Sequence, residues 1–460
     1  MTPWARRRRE LREKVSGPIL LIGNDNRSRN LPMSPLPFRQ DSSFLYFTGC
    51  KEPGAAVLLT ENTETLFLRP HAADDALWHG ETVPIETLGG TLGFDNTRPL
   101  QELEQRIAPI RPQISCLAVP DETRNRWATS LTGIELQFGT QNGPEELVDA
   151  VISLRRTLKE EELAEMRETA KVTYNAHLAA MGATRAGGHE NHICAVFEAT
   201  VRAAGLVTAY PSIVTVRGEV LHNFHTEHTL EDGQLLLLDG GAESPNGYAT
   251  DVTRTWPVSG RFSARQRATY DAVLEAQEQS IALVRAGVRF RRVHDCSSLV
   301  IARFLADERI ITCSPEEAVA QGAHALFFPH GVGHLIGLDV HDLENFGDRA
   351  GYASGRSRST QFGTKYLRLD RDLEPGNVVT IEPGFYAAPG ILHDPALREQ
   401  FSKLVDFTRA EEWIGFGGIR IEDDIVVTHD APENLTGHIP KAPEAMESLI
   451  GQSAPMFADA

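Results

Sequence analysis

The chain has 460 residues, 41% of them apolar and 23% charged, a length that calls for more than one domain and a composition ordinary for a globular protein. A net charge of −18 argues against nucleic-acid binding, and no apolar run is long enough for a membrane span. Five scattered cysteines (Cys50, Cys116, Cys194, Cys296 and Cys313), with no CxxC pair, argue against a disulfide scaffold and for a reducing, cytoplasmic setting. The basic start, "MTPWARRRRELREKV", leads only into the short run "PILLIG", so it does not read as a signal peptide. Its arginines, Arg6 to Arg9, read as a solvated helix face. Residues 18–120 hold short apolar runs separated by polar and helical stretches, which predicts a small α/β domain over 1–156. Trp78, in "ALWHGE", is expected in its core. A long helix-periodic stretch over 144–183 contains the boundary, placed near Thr157, and a second domain is expected over 157–440. The last residues, 441–460, lack a period and read as a loose tail.

Four segments of the second domain carry acids or imidazoles where strands end. In "QLLLLDGGAESPNGYATDVTRTWPV" a continuous apolar run ends at Asp239, a turn follows at Pro245-Asn246-Gly247, and the return strand alternates. A three-residue turn would set Asp239 opposite Thr253, on one face with Asp251; a two-residue turn would part the two acids unless a bulge intervened. The alternative is two unrelated aspartates that cap turns. "FFPHGVGHLIGLDVHD" holds His330, His334 and His341. The first two have the spacing of a zinc helix, but Gly331 and Gly333 disfavour a helix and the general-base glutamate is missing, so a glycine-rich strand and loop is expected. "VVTIEPGFY" delivers Glu382 at a strand end. In "GIRIEDD", Arg420 and Glu422 share one strand face, so Arg420 could brace carboxylates while Glu422 faces a cation. Asp239, Asp251, His334, Glu382 and Glu422 together make a hard, oxygen-rich donor set whose four negative charges balance two divalent ions, Mn²⁺ before Co²⁺ or Zn²⁺. Burying Glu422 is then affordable, because cations neutralise it.

These four segments, in this order, resemble the pita-bread metallopeptidases, and in particular their proline-specific branch of aminopeptidase P and prolidase. The resemblance implies an α+β protein, with an N-terminal α/β domain ahead of a pita-bread catalytic domain. It also implies that Asp239, Asp251, His334, Glu382 and Glu422 bind two metals, that Glu382 passes the proton to the leaving nitrogen, and that His222, His341 and His330 line the catalytic pocket beside Arg420. The interval from Asp239 to Asp251 is one residue longer than the family's usual value, and the extra residue is expected in the turn. Asn223 stands where the family usually has an aromatic. "FRQDSSFLYFTGCKEPGAAVLL" is similar to the N-terminal domain of aminopeptidase P and prolidase, which methionine aminopeptidases lack.

The implied reaction is hydrolysis of the bond before proline, a tertiary amide without an N–H. Aminopeptidase P trims the first residue from longer peptides, whereas prolidase takes dipeptides. "RQDSSFLYFTG" favours the former; "GTKYLRLDRDLEPG", with Arg368 at the position that clamps a dipeptide carboxylate, favours the latter. The expectation is an Xaa-Pro aminopeptidase acting on peptides with proline second, with dipeptidase as the alternative and a non-catalytic peptide-binding module further off. The family also implies a dimer or tetramer.

Overall fold

The computed structural model describes residues 1–72 and 74–452. The chain forms two compact units. One is Met1–Arg156 with Leu343–Ala350; the other is Thr157–Asp342 with the chain from Gly351 onward. Both mix helices and strands.

In the first unit, β1 (Ile19–Ile22), β2 (Ala56–Leu59), β3 (Glu64–Leu68), β4 (Asn96–Pro99) and β5 (Ser115–Cys116) make one sheet in the order β4-β3-β2-β1-β5. The apolar runs supply its core, in which Leu20, Ile22, Phe67 and Leu103 are buried. Two expectations fail here. The arginine run lies on the helix Pro3–Arg12, but Arg7 and Arg8 are buried. Arg8 reaches Glu64 Oε2 at 2.6 Å and gives hydrogen bonds to the carbonyls of Phe47 and Gly93, which compensate its charge. Trp78 is not a core residue; it is 61% exposed.

The second unit holds β6 (Val207–Thr208), β7 (Ile213–Thr215), β8 (Leu235–Asp239), β9 (Ala242–Glu243), β10 (Thr253–Pro257), β11 (Val378–Ile381), β12 (Gly384–Tyr386), β13 (Gly418–Arg420), β14 (Asp423–Val426) and β15 (Glu433–Asn434). The sheets run β10-β8-β7 and β11-β14-β15, with the pairs β12-β13 and β6-β9 beside them. A pair of packed helices precedes each larger sheet: Glu160–Ala183 with Glu190–Ala203, then Ala264–Leu283 with Phe290–Asp307. This two-fold plan leaves no repeat visible by eye in the sequence. Ser263 and Gln266 form a capping box that starts the third helix. The expected loose tail differs from the structure: Pro443–Glu447 is helical with Met446 fully buried, while 453–460 lie outside the described residues.

Candidate metal centre

The β8–β10 hairpin aligns the two aspartates. Asp239 pairs with Thr253, and the bridge between Glu243 and Ala249 continues the same register to a three-residue turn at Pro245-Asn246-Gly247. Asp251 therefore lies diagonally from Asp239 on one face. Gly241 stands directly opposite Asp251, and a Cβ there would lie 1.7 Å from the Thr250 carbonyl oxygen. Only glycine allows the strands this close. The Tyr210 hydroxyl sits between the two acids, 2.6 Å from Asp239 Oδ1 and 2.5 Å from Asp251 Oδ1.

The histidine segment is not the expected regular strand, but runs beside β11 with a single bridge at Leu335. Thr380 N–H donates to the His334 carbonyl and Glu382 N–H to the Val332 carbonyl, with a bridge from Leu335 to Val379. Gly333 permits this approach, since a Cβ there would stand 1.9 Å from the Thr380 carbonyl oxygen. His334 Nδ1 lies 3.0 Å from the Leu335 carbonyl, which can only accept, so Nδ1 carries the hydrogen. Nε2 then faces Asp251 Oδ2 at 3.4 Å and Glu382 Oε1 at 3.8 Å. Between this ring nitrogen and the carboxylates there must be either a proton or a metal cation. His330 is oriented in the same way: Nδ1 donates to the Gly331 carbonyl, and Nε2 accepts from Tyr386 at 2.8 Å.

Glu422 comes from the break between β13 and β14. Thr253 Oγ1 donates to its Oε2 at 2.6 Å, and its Oε1 is buried with no hydrogen-bond partner. One ligand atom each from Asp251, His334 and Glu422 lies within 4.8 Å of the others. Glu382 adjoins this trio through His334. Asp239 adjoins it through Tyr210, and its other oxygen takes a hydrogen bond from Arg420 Nη2 at 2.5 Å. Arg420 also donates to Thr253 Oγ1 and to the Tyr386 hydroxyl, so it braces the acids from the side.

Burial and the neighbouring carboxylates raise the Glu422 carboxyl well above its usual range. Burial pushes Glu382 up to about 7 and raises Asp239 despite Arg420. Burial works to raise Asp251, but the hydrogen bonds and charges of His334, Tyr210 and His341 together hold it low. A buried cluster of this charge is stable only around cations or protons. The partnerless Glu422 oxygen and an all-oxygen-and-imidazole donor set fit divalent ions.

All five acids and imidazoles face one cavity of about 390 Å³ within the second unit. His222, His330, His341, Arg368 and Arg420 line it too, so each residue singled out from the sequence reaches this one space. The His341 ring meets His334 edge-on at 4.2 Å, and the charge at His334 together with burial pushes its pKa down to about 2. Burial beside Arg420 and Arg368 lowers His222 as well. Phe362, Tyr366 and Ile391 form an apolar part of the wall. Asn223 turns inward, where its amide donates to Thr215 Oγ1 and its carbonyl accepts from His225 N–H, so it staples the loop that carries His222. Sequence reasoning missed Tyr210, Thr253 and Tyr386. Thr253 was read only as a register mark, and "EPGFY" ends on a tyrosine that passes for core.

Comparison with known proteins agrees with this geometry. Residues 164–429 match metallopeptidase family M24, and residues 4–114 match the aminopeptidase P N-terminal domain. The Xaa-Pro aminopeptidase of Escherichia coli (strain K12) is 32% identical over 469 residues, covering 97% of each chain. Among solved structures, Pseudomonas aeruginosa aminopeptidase PepP aligns with a TM-score of 0.81 at 29% identity, and zinc-substituted Escherichia coli aminopeptidase P in complex with product with 0.79 at 30%. Each alignment covers 97% of both chains. With catalytic and N-terminal domains both matched, this chain belongs to metallopeptidase family M24.

Proposed function

We propose that the protein is a metal-dependent Xaa-Pro aminopeptidase, which hydrolyses the bond between a free N-terminal residue and a proline that follows it. The observation that carries this reading is the single cavity shared by four carboxylates and His334, with a partnerless Glu422 oxygen in a chain that aligns end to end with an Xaa-Pro aminopeptidase. Asp239, Asp251, His334, Glu382 and Glu422 would hold two divalent cations, Mn²⁺ in our reading. Bound there, such ions supply Lewis acidity toward a carbonyl oxygen and acidify water.

The protein's own groups do the rest. Thr253 and Tyr210 aim the carboxylates, and Arg420 balances the charge of Asp239. Glu382 takes a proton from water and passes it to the proline nitrogen. As an anion that nitrogen is a poor leaving group, so it leaves only once protonated. His222 and His341, neutral at physiological pH because their pKa values are depressed, can donate to the scissile carbonyl region from the cavity wall. The hydrogen-bonded chain His330–Tyr386–Arg420 runs on to Asp239 and braces that side of the cavity.

One observation favours a second reading. Arg368 lines the same cavity, where a guanidinium could clamp the carboxylate of an Xaa-Pro dipeptide. Paired assays with Gly-Pro and an Xaa-Pro-Pro tripeptide decide between the two. We expect tripeptide turnover; cleavage of Gly-Pro alone would make the enzyme a dipeptidase. Arg368→Ala should depress dipeptide hydrolysis selectively, and an equal loss on both substrates would remove the clamp. We place the enzyme in the cytoplasm, a reading supported by its five free cysteines. No helix among the described residues is long and apolar enough to cross a membrane. We also expect a dimer or tetramer, in which the exposed Trp78 is a candidate contact.

A further inference from the structure

Behind Glu422 lies a charged cluster that the reaction does not use. Arg254, on β10, is fully buried. Its Nη1 donates to the carbonyls of Thr253 at 3.0 Å and Glu422 at 2.6 Å. Its Nη2 donates to Asp423 Oδ1 at 2.6 Å and the Ile439 carbonyl at 3.1 Å, and its Nε to the Pro440 carbonyl at 3.2 Å. Asp423 is fully buried too, and its Oδ1 also accepts from Thr436 Oγ1 at 3.0 Å. Its Oδ2 takes hydrogen bonds from Lys441 Nζ at 2.8 Å, Gln277 Nε2 at 2.9 Å and Asn434 Nδ2 at 3.2 Å. Lys441 Nζ reaches Gln277 Oε1 as well, at 2.7 Å, and its carbonyl accepts from the Tyr270 hydroxyl. A segment near the C-terminus is thus tied through two buried charges to the backbone of Glu422.

A buried ion pair is a poor way to gain stability, because taking two charges out of water costs about as much as their attraction returns. What it fixes is geometry. The Glu422 backbone is held from both sides: its N–H donates to the Thr253 carbonyl at 3.1 Å, and its carbonyl accepts from Arg254. Its carboxyl is then held by Thr253 Oγ1 on the cavity side. We propose that Lys441, acting through Asp423 and Arg254, is a positioning residue that sets the Glu422 carboxylate for metal binding, so that the segment Thr436–Lys441 belongs to the metal centre. This rests on the reading of Glu422 as a ligand.

The test uses the full chain stripped by chelator and titrated with Mn²⁺ in a calorimeter. Lys441 carries it, because its side chain is 16% exposed and its replacement is tolerated more readily than that of Arg254. Lys441→Met should bind Mn²⁺ about tenfold more weakly, with kcat lowered and KM unchanged, and Lys441→Arg should restore both. If Lys441→Met lowers Tm while Mn²⁺ affinity and kcat stay at the wild-type level, the role is structural only and the proposal fails. Wild type that binds no Mn²⁺ would refute the ligand set itself, a separate outcome.

Discussion

At the residue scale, the acids of the cavity work against the fold that holds them. Glu422 has one buried oxygen without a partner and a carboxyl raised by burial and by Asp251, Glu382 and Asp239. Glu422→Gln keeps the shape, removes a charge and offers an amide hydrogen to the neighbouring acids. We expect this variant to lose metal affinity about a hundredfold or more, and with it activity, while the chelator-treated protein gains about 1 kcal/mol in urea unfolding. A variant no more stable than wild type without metal would contradict the charge argument. Tyr210→Phe tests the other end of the site. Losing the hydroxyl between Asp239 and Asp251 should weaken Mn²⁺ binding about tenfold and leave Tm nearly unchanged; unaltered binding would make Tyr210 a bystander. The acids that share the cavity were legible in the sequence only as an ordered set resembling the metallopeptidases, since an acid at a single strand end reads as solvated. Tyr210 and Tyr386 were not, because an aromatic ring is at home in any core and only its neighbours reveal a functional hydroxyl.

At the scale of elements, the β8–β10 hairpin shows what pattern can and cannot settle. Alternation along the return strand put Asp251, Thr253 and Thr255 on one face, but which face met Asp239 depended on the turn, and Pro-Asn-Gly allows more than one length. The structure has three turn residues, and Asp239 pairs with Thr253. Deleting Asn246 should shorten the loop to two residues and shift the pairing by one, which sends Asp251 to the opposite face. We expect this variant to keep its helical circular dichroism and bind no more than trace Mn²⁺. Wild-type affinity would show that the hairpin repairs its register elsewhere, for example with a bulge. Other elements were misread because a partner distant in sequence decided them. Arg8 is buried because Glu64 and two carbonyls wait for it, and the segment 441–452 is packed rather than loose because Met446 and Lys441 dock on residues upstream. Neither partner can be seen from the local pattern.

At the scale of the whole molecule, the two-unit plan followed from length and composition, but the cost of its buried histidines did not, since a histidine looks alike in sequence whether solvated or enclosed. His177, His294 and His324 are buried, and burial is the main reason each titrates low: about 3 for His177, about 4 for His324, and well below the usual 6.5 for His294. In the unfolded chain each takes up a proton near pH 6.5; in the native state none does until the pH is far lower. Protons therefore favour unfolding throughout that interval. Stability is intact above pH 6.5 and falls as the pH drops below it, by up to about 1.4 kcal/mol per pH unit for each histidine. His294 isolates the effect. Neither of its ring nitrogens has a hydrogen-bond partner, and its ring packs 5.7 Å from that of Phe328, so His294→Phe removes a polar group without breaking a bond. Urea midpoints measured in chelator at pH 7 and pH 5 should differ less in His294→Phe than in wild type, with the variant at least as stable at pH 7. An equal loss in both proteins would mean that burial does not hold His294 neutral as the pH falls, and that acid unfolds this molecule through its carboxylates instead.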